Sequence, residues 1–128
     1  MKNKELYEGA LRLLAEDPDA DENEDYEERA PYLLAAFCGE AEALDRSIRR
    51  AEGVAAGKEF NPVWLPPEGE FPLSGRLSGA ACLYLAAMLV MDEDPALSDR
   101  LYDRYSDAMA TIATSLPAAL EAIPDRYF

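Results

Sequence analysis

Fifteen consecutive residues without a charge, LSGAACLYLAAMLVM from Leu77 to Met91, constrain this chain more than any other feature. Apolar side chains occur nearly all round the helix that this segment predicts, so every side of that helix must be covered by protein. A membrane span needs about 20 apolar residues, and this stretch is too short. The segment is therefore read as the central helix of a bundle, running from about Arg76 to Met91 with Ser74 as its cap. A chain of 128 residues suits one domain with one core. At 49% hydrophobic, it has enough apolar surface to fold.

Three more helices can surround it. The first is expected over Lys4–Glu16, capped by Asn3, with Leu6, Ala10, Leu13 and Leu14 forming its apolar stripe. Asp17-Pro18 ends it, because a residue before proline avoids the α region. The second is expected over Tyr26–Glu52, with Leu33, Phe37, Ala41, Leu44 and Ile48 on one face. Asp25 and Glu28 form a capping-box-like start, and Gly53 suits the C′ position. Pro31 lies beyond the first turn, so it either kinks the helix or marks its true start. The fourth runs over Ala96–Ser115, capped by Asp94 with Pro95 in its first turn. Leu97, Leu101, Tyr105, Ala108 and Ile112 face inward. Beyond Pro117 one more short turn is expected.

Between the second and third helices the periodicity is lost. Residues 54–75 include GKEFNPVWLPPEGEFPLSG, with four prolines and the aromatics Phe60, Trp64 and Phe71. Connections this long often carry function, and the aromatics argue against disorder. The expected fold is thus all-α: a single small helical bundle of about four helices, residues 1–128, with one long irregular loop at 54–75.

Charge excludes several functions. The net charge is −14 and the pI about 4.2, so the surface repels phosphates and anionic membranes. Neither sequence-specific nucleic-acid binding nor membrane attachment is expected. Lys2 and Lys4 precede no apolar signal region, since Glu5 and Glu8 interrupt it. Histidine is absent, which removes the commonest general base and zinc ligand. Cys38 and Cys82 stand far apart in apolar stretches and are read as free, buried thiols. With no His-based triad, no GxGxxG and no P-loop, no enzyme, cofactor or catalytic residue is expected.

The most acidic stretch imitates a calcium loop. Asp17, Asp19, Asp21, Asp25 and Glu28 occupy ligand positions 1, 3, 5, 9 and 12 of a calcium-binding loop. Glu22 stands where the sharp turn needs glycine, however, and Pro18 stiffens position 2. The stretch is therefore read as a solvated acidic turn with no metal site.

LSDRLYDRYSDAMATI places Asp99, Arg100, Asp103, Arg104 and Asp107 beside Tyr102 and Tyr105. Opposite charges three or four apart on a helix attract weakly, which accounts for a charged outer face. Because Arg and Tyr are enriched at interface hot spots, Arg100, Tyr102, Arg104 and Tyr105 are also interface candidates, with Phe60, Trp64 and Phe71 of the loop.

The order of these segments resembles a known family. ELYEGALRLL, an acidic gap and APYLLAAFCGEAEALDRSIR precede FPLSGRLSGAACLYLAAMLVMDEDPALSDRLYDRYSDAM. The Phe71–Met109 part is similar to the small helical head–tail connector (adaptor, head-completion) proteins of tailed phages and prophages. The resemblance implies a structural virion protein made in the bacterial cytoplasm and then carried in the virion neck. It also implies self-association into a ring below the portal, which extends the DNA channel, and docking to portal and neck or tail proteins. An acidic lumen would let DNA slide during packaging and ejection. The alternative is an acidic DNA mimic, or another small helical interaction protein that binds a host protein.

Overall fold

The computed structural model describes residues 1–15, 24–55 and 62–116. Helices α1 (Asn3–Leu13), α2 (Glu24–Ala51), α3 (Ser78–Val90) and α4 (Pro95–Ser115) build an all-α bundle, and a 3-10 turn at Gly75–Leu77 leads into α3. The described residues contain the expected four helices. Among the described residues the only strand-like pairing is an isolated antiparallel bridge between Lys2 and Glu70.

α3 is the centre. Ala81, Leu85, Ala86 and Ala87 have no exposed surface, and the helix packs against α1, α2 and α4. Its small residues let neighbours approach. A Cβ added at Gly9 of α1 would stand 2.8 Å from the Cys82 Sγ, so this glycine sets the spacing of α1 and α3. α3 itself begins at Ser78, later than the expected Arg76, and Leu77 before it gives no side-chain cap. Ser74 caps the 3-10 turn instead, and Asp94 caps α4. The Ser74 Oγ accepts the Arg76 N–H at 3.2 Å, and the Asp94 Oδ1 accepts the Leu97 N–H at 3.0 Å, satisfying orphan donors of the first turn.

α2 ends as the sequence predicts. Gly53 takes φ +72°, its N–H reaches the Arg50 carbonyl at 3.2 Å and the Val54 N–H reaches Arg49 at 2.8 Å. That pair of bonds is a Schellman closure. The start of α2 differs from expectation. Asp25 lies inside the first turn rather than at the cap, and its carboxylate accepts from the Arg29 side chain at 3.2 Å. Pro31 is buried within the helix and does not begin it.

α1 also differs. Asn3 is the first helical residue, not the cap, and is 3% exposed. The segment around residues 65–71, here termed the strap, lies across the N-terminus of α1 and supplies backbone acceptors instead. The Asn3 N–H donates to the Gly69 carbonyl and the Lys4 N–H to the Pro67 carbonyl, both at 2.9 Å. With donors met by a distant backbone, no capping side chain is needed. Leu11 is fully buried and packs with Tyr26 and Leu89, whereas Leu13, expected inward, is 38% exposed. The helix stops at Leu13, and Ala15 takes a positive φ of 59°. The expected continuation to Glu16 therefore fails at Leu14 and Ala15, which form a turn, while Glu16, the Asp17-Pro18 break and the turn after Pro117 lie outside the described residues.

Candidate protein-interaction site

The strap is fixed at both ends. At one end the Leu65 N–H donates to the Pro31 carbonyl at 3.2 Å. At the other, the Asp45 carboxylate accepts the Ser74 N–H at 2.7 Å and the Arg49 Nε at 2.8 Å, while Arg49 also donates to the Pro72 carbonyl at 3.2 Å. Leu65 and Leu73 turn into the core, and Val63 and Trp64 remain outside, 77% and 47% exposed.

Trp64 does not stand alone. Together with Tyr32 of α2, 56% exposed, it lines an open groove of about 740 Å³ whose remaining wall includes Pro31, Leu33 and Pro67. The carboxylates of Glu27 and Glu28 border it. Arg29, also on this wall, is already engaged: it donates to the Met88 and Leu89 carbonyls at 3.1 and 3.4 Å and to Asp25. The groove thus offers two aromatic faces and the exposed carboxylates of Glu27 and Glu28, a combination suited to an apolar or cationic partner side chain.

The remaining interface candidates separate. Arg100, Tyr102 and Arg104 are exposed on α4. Tyr105 instead sits in the core, 4% exposed; its hydroxyl donates to Glu40 at 3.0 Å and its ring meets Tyr84 at 5.3 Å and Phe37 at 6.1 Å. Tyr102 lies on the outside of this cluster, 5.4 Å from the Tyr105 ring. Phe71 is half-buried and stacks on Phe37 at 6.5 Å, so it holds the strap down. Phe60 lies outside the described residues. Tyr32 is the residue that sequence reading missed. Its signal was an aromatic one position out of phase with Leu33 and Phe37, on the outer side of α2.

Neither thiol offers nucleophilic chemistry. Burial, with the nearby Asp45 charge adding to it, pushes the Cys38 thiol up to about 12. Burial also raises Cys82, whose Sγ lies 3.5 Å from the Leu6 carbonyl. Both are free, and both stay protonated at neutral pH. Among the described residues no three carboxylate or thiol groups cluster to hold a metal; Asp17, Asp19 and Asp21 lie outside them. No helix of the described residues is long and apolar enough to cross a membrane. No protein family, curated protein or solved structure matches the chain, so a functional reading rests on its own residues.

Proposed function

We propose that this chain is a structural virion protein, a head–tail connector subunit that assembles into a ring below the portal of a phage or prophage and extends the DNA channel. The observation that carries this reading is the Trp64–Tyr32 groove. Two large aromatic rings stay in water on an otherwise highly charged protein, and anchored backbone holds Trp64 in place. Surface aromatics held in this way commonly serve as contact anchors. The assembly to which we assign the anchor is that of the connector proteins which the residues of Phe71–Met109 resemble.

The charge fits the role. Glu5 and Glu8 on α1, Glu27 and Glu28 on α2, and Asp99, Asp103 and Asp107 on α4 are all exposed. A ring of such chains presents carboxylates to passing DNA and gives its phosphates nothing to grip. Free copies repel one another, and assembly follows docking on the portal. The outer face of α4, with Arg100 and Arg104 between acidic residues, offers a neighbouring copy both signs of charge.

The test combines light scattering of the free protein at low and high salt with portal co-sedimentation. The expected result is weak self-association that strengthens as salt screens repulsion, portal binding by the wild type, and loss of that binding in Trp64→Ala with nearly unchanged melting. Wild-type protein that ignores the portal overturns the reading. Tight binding to a basic DNA-binding protein, released by high salt, would instead assign the chain as a DNA mimic.

A further inference from the structure

One backbone bond brings two exposed rings to the same groove. The Leu65 N–H donates to the Pro31 carbonyl at 3.2 Å, so the residues next to these two, Trp64 and Tyr32, share the groove wall. The rings are 47% and 56% exposed, and each carries a donor, an indole N–H or a hydroxyl. Pro31, buried in α2, and Pro67, exposed on the strap, complete this side of the wall. The strap is tied to α1 here: the Pro66 carbonyl accepts the Asn3 Nδ2 and the Pro67 carbonyl accepts the Lys4 N–H, both at 2.9 Å. The wall is therefore fixed before a partner arrives.

Such a wall selects among the ways in which a protein grips a peptide. An added strand needs backbone donors and acceptors along an open edge. Here the Leu65 N–H is engaged by Pro31, Pro66 and Pro67 have no N–H, and the Pro66 and Pro67 carbonyls already accept from α1. A docked amphipathic helix needs a groove with apolar sites about one turn apart. Among the described residues that line this groove, Leu33 is the one aliphatic side chain, and it is half-buried. A polyproline II segment needs neither arrangement. It makes no internal hydrogen bonds, so its carbonyls are free to accept, and its proline rings lie on aromatic faces. Two exposed rings that carry donors supply both halves of that contact.

We propose that the groove receives an extended, proline-rich segment of a partner protein, with a basic residue flanking the prolines. Proline rings lie against Trp64 and Tyr32, and the indole N–H and the hydroxyl donate to carbonyls of the segment. The aromatic faces make the site, and the exposed carboxylates of Glu27 and Glu28 on its rim set the sign of the flank. The one cation on the wall, Arg29, is already paired with Asp25 and bonded to the Met88 and Leu89 carbonyls. A chain of net charge −14 repels an acidic flank and draws a basic one. Site and segment are both stiff before they meet, which lowers the ordering cost of binding. The inference rests on reading this groove as a protein contact; it needs neither the ring nor the portal.

The probe is a synthetic run of about nine prolines, roughly 28 Å of polyproline II, flanked by arginine. Counterparts of equal length and charge replace the prolines by alanine, by alternating threonine and valine, or by glycine and serine. A further counterpart keeps the prolines and carries glutamate flanks. The single tryptophan, Trp64, reports binding by fluorescence, and NMR of the full chain at constant ionic strength locates it. The arginine-flanked proline peptide should bind saturably, with a Kd on the order of 0.1 mM and at least about tenfold tighter than any counterpart. Shifts should centre on Tyr32, Leu33 and Trp64. Tyr32→Ala, at an exposed position, should weaken binding about tenfold. Tyr32→Phe, which keeps the ring and loses the donor, should weaken it about threefold. Glu27→Gln combined with Glu28→Gln should bring the arginine- and glutamate-flanked proline peptides close to equal affinity. A counterpart that binds as tightly, shifts away from these residues, full binding by Tyr32→Ala, or an arginine preference that survives in the double variant overturns the proposal. Portal co-sedimentation separates it from the connector reading. Portal binding lost in Trp64→Ala, with no preference for proline, keeps the connector and removes this inference. Proline binding at Trp64 by a chain that ignores the portal does the reverse.

Discussion

Asp45 of α2 reaches across the chain to the backbone of Ser74, accepting its N–H at 2.7 Å while also holding Arg49 at 2.8 Å. The carboxylate is 6% exposed, so neither donor has water as a ready substitute. One side chain thereby fixes where the strap ends and where the 3-10 turn into α3 begins.

Asp45→Ala should cost about 2–3 kcal/mol, because a half-buried backbone donor and a half-buried guanidinium both lose their acceptor. Urea unfolding with an unchanged m-value checks it. A cost below about 0.5 kcal/mol would mean that water replaces the carboxylate.

Leu85→Ala should cost about 2–5 kcal/mol, the range for a leucine with no exposed surface. Urea midpoints against the wild type measure it. A cost under about 1 kcal/mol would show that the α3 face is not the stability centre.

Gly9 offers a test with a sign change. Alanine there gains up to about 1 kcal/mol of helix propensity, but its Cβ would stand 2.8 Å from the Cys82 Sγ. Gly9→Ala should destabilise the wild type and stabilise the Cys82→Ala variant. A double-mutant cycle reads the coupling, and additive effects would remove the contact from the argument.

Stability should fall at alkaline pH. The Cys38 thiol rises from 9.0 to about 12 in the fold, through burial and then Asp45. The Tyr84 phenol rises from 10.0 to about 12, through burial and then Glu40. Both groups stay protonated in the folded chain while the unfolded chain ionises. Stability is therefore intact below about pH 9 and declines as pH climbs through 9 to 12. Urea midpoints across that window should drop, less steeply in Tyr84→Phe, and a flat profile would contradict the burial argument.

Calcium should not raise the melting temperature, because Glu22 replaces the turn glycine of the loop-like stretch and Pro18 stiffens it. A saturable rise with millimolar calcium, absent with magnesium, would signal native-state binding.

What could be read in the sequence was what the sequence settles locally. The charge-free run of α3, the Asp94 cap of α4 and the closure at Gly53 each depend on residues within a few positions, as does the Ser74 cap, which serves the 3-10 turn before α3 rather than α3 itself. The errors lie where a distant segment decides. Asn3 has the chemistry of a cap, but the strap, 63 positions away at Pro66, supplies the acceptors and sends its amide inward. Leu11 is buried and Leu13 is not because Tyr26 and Leu89 cover one side of α1, which periodicity in α1 alone does not reveal. Of the interface candidates, Trp64 is exposed, whereas Tyr105 follows its inward helical phase into the aromatic core. Tyr32 escaped notice because only the folded strap brings Trp64 beside it.

The strap also bears on the order in which the chain folds. Its bonds to Met1 and the first turn of α1 join segments separated by 63 to 70 positions, whereas α3 and α4 adjoin through a tight turn at residues 91–94. Contacts between near neighbours close small loops and form early, while distant pairings carry the larger entropic cost. The α3–α4 hairpin should therefore nucleate, and the strap should settle over α1 last. In native-state hydrogen exchange, the amides of Asn3, Lys4 and Phe71 should then open together, at lower free energy than those of α3.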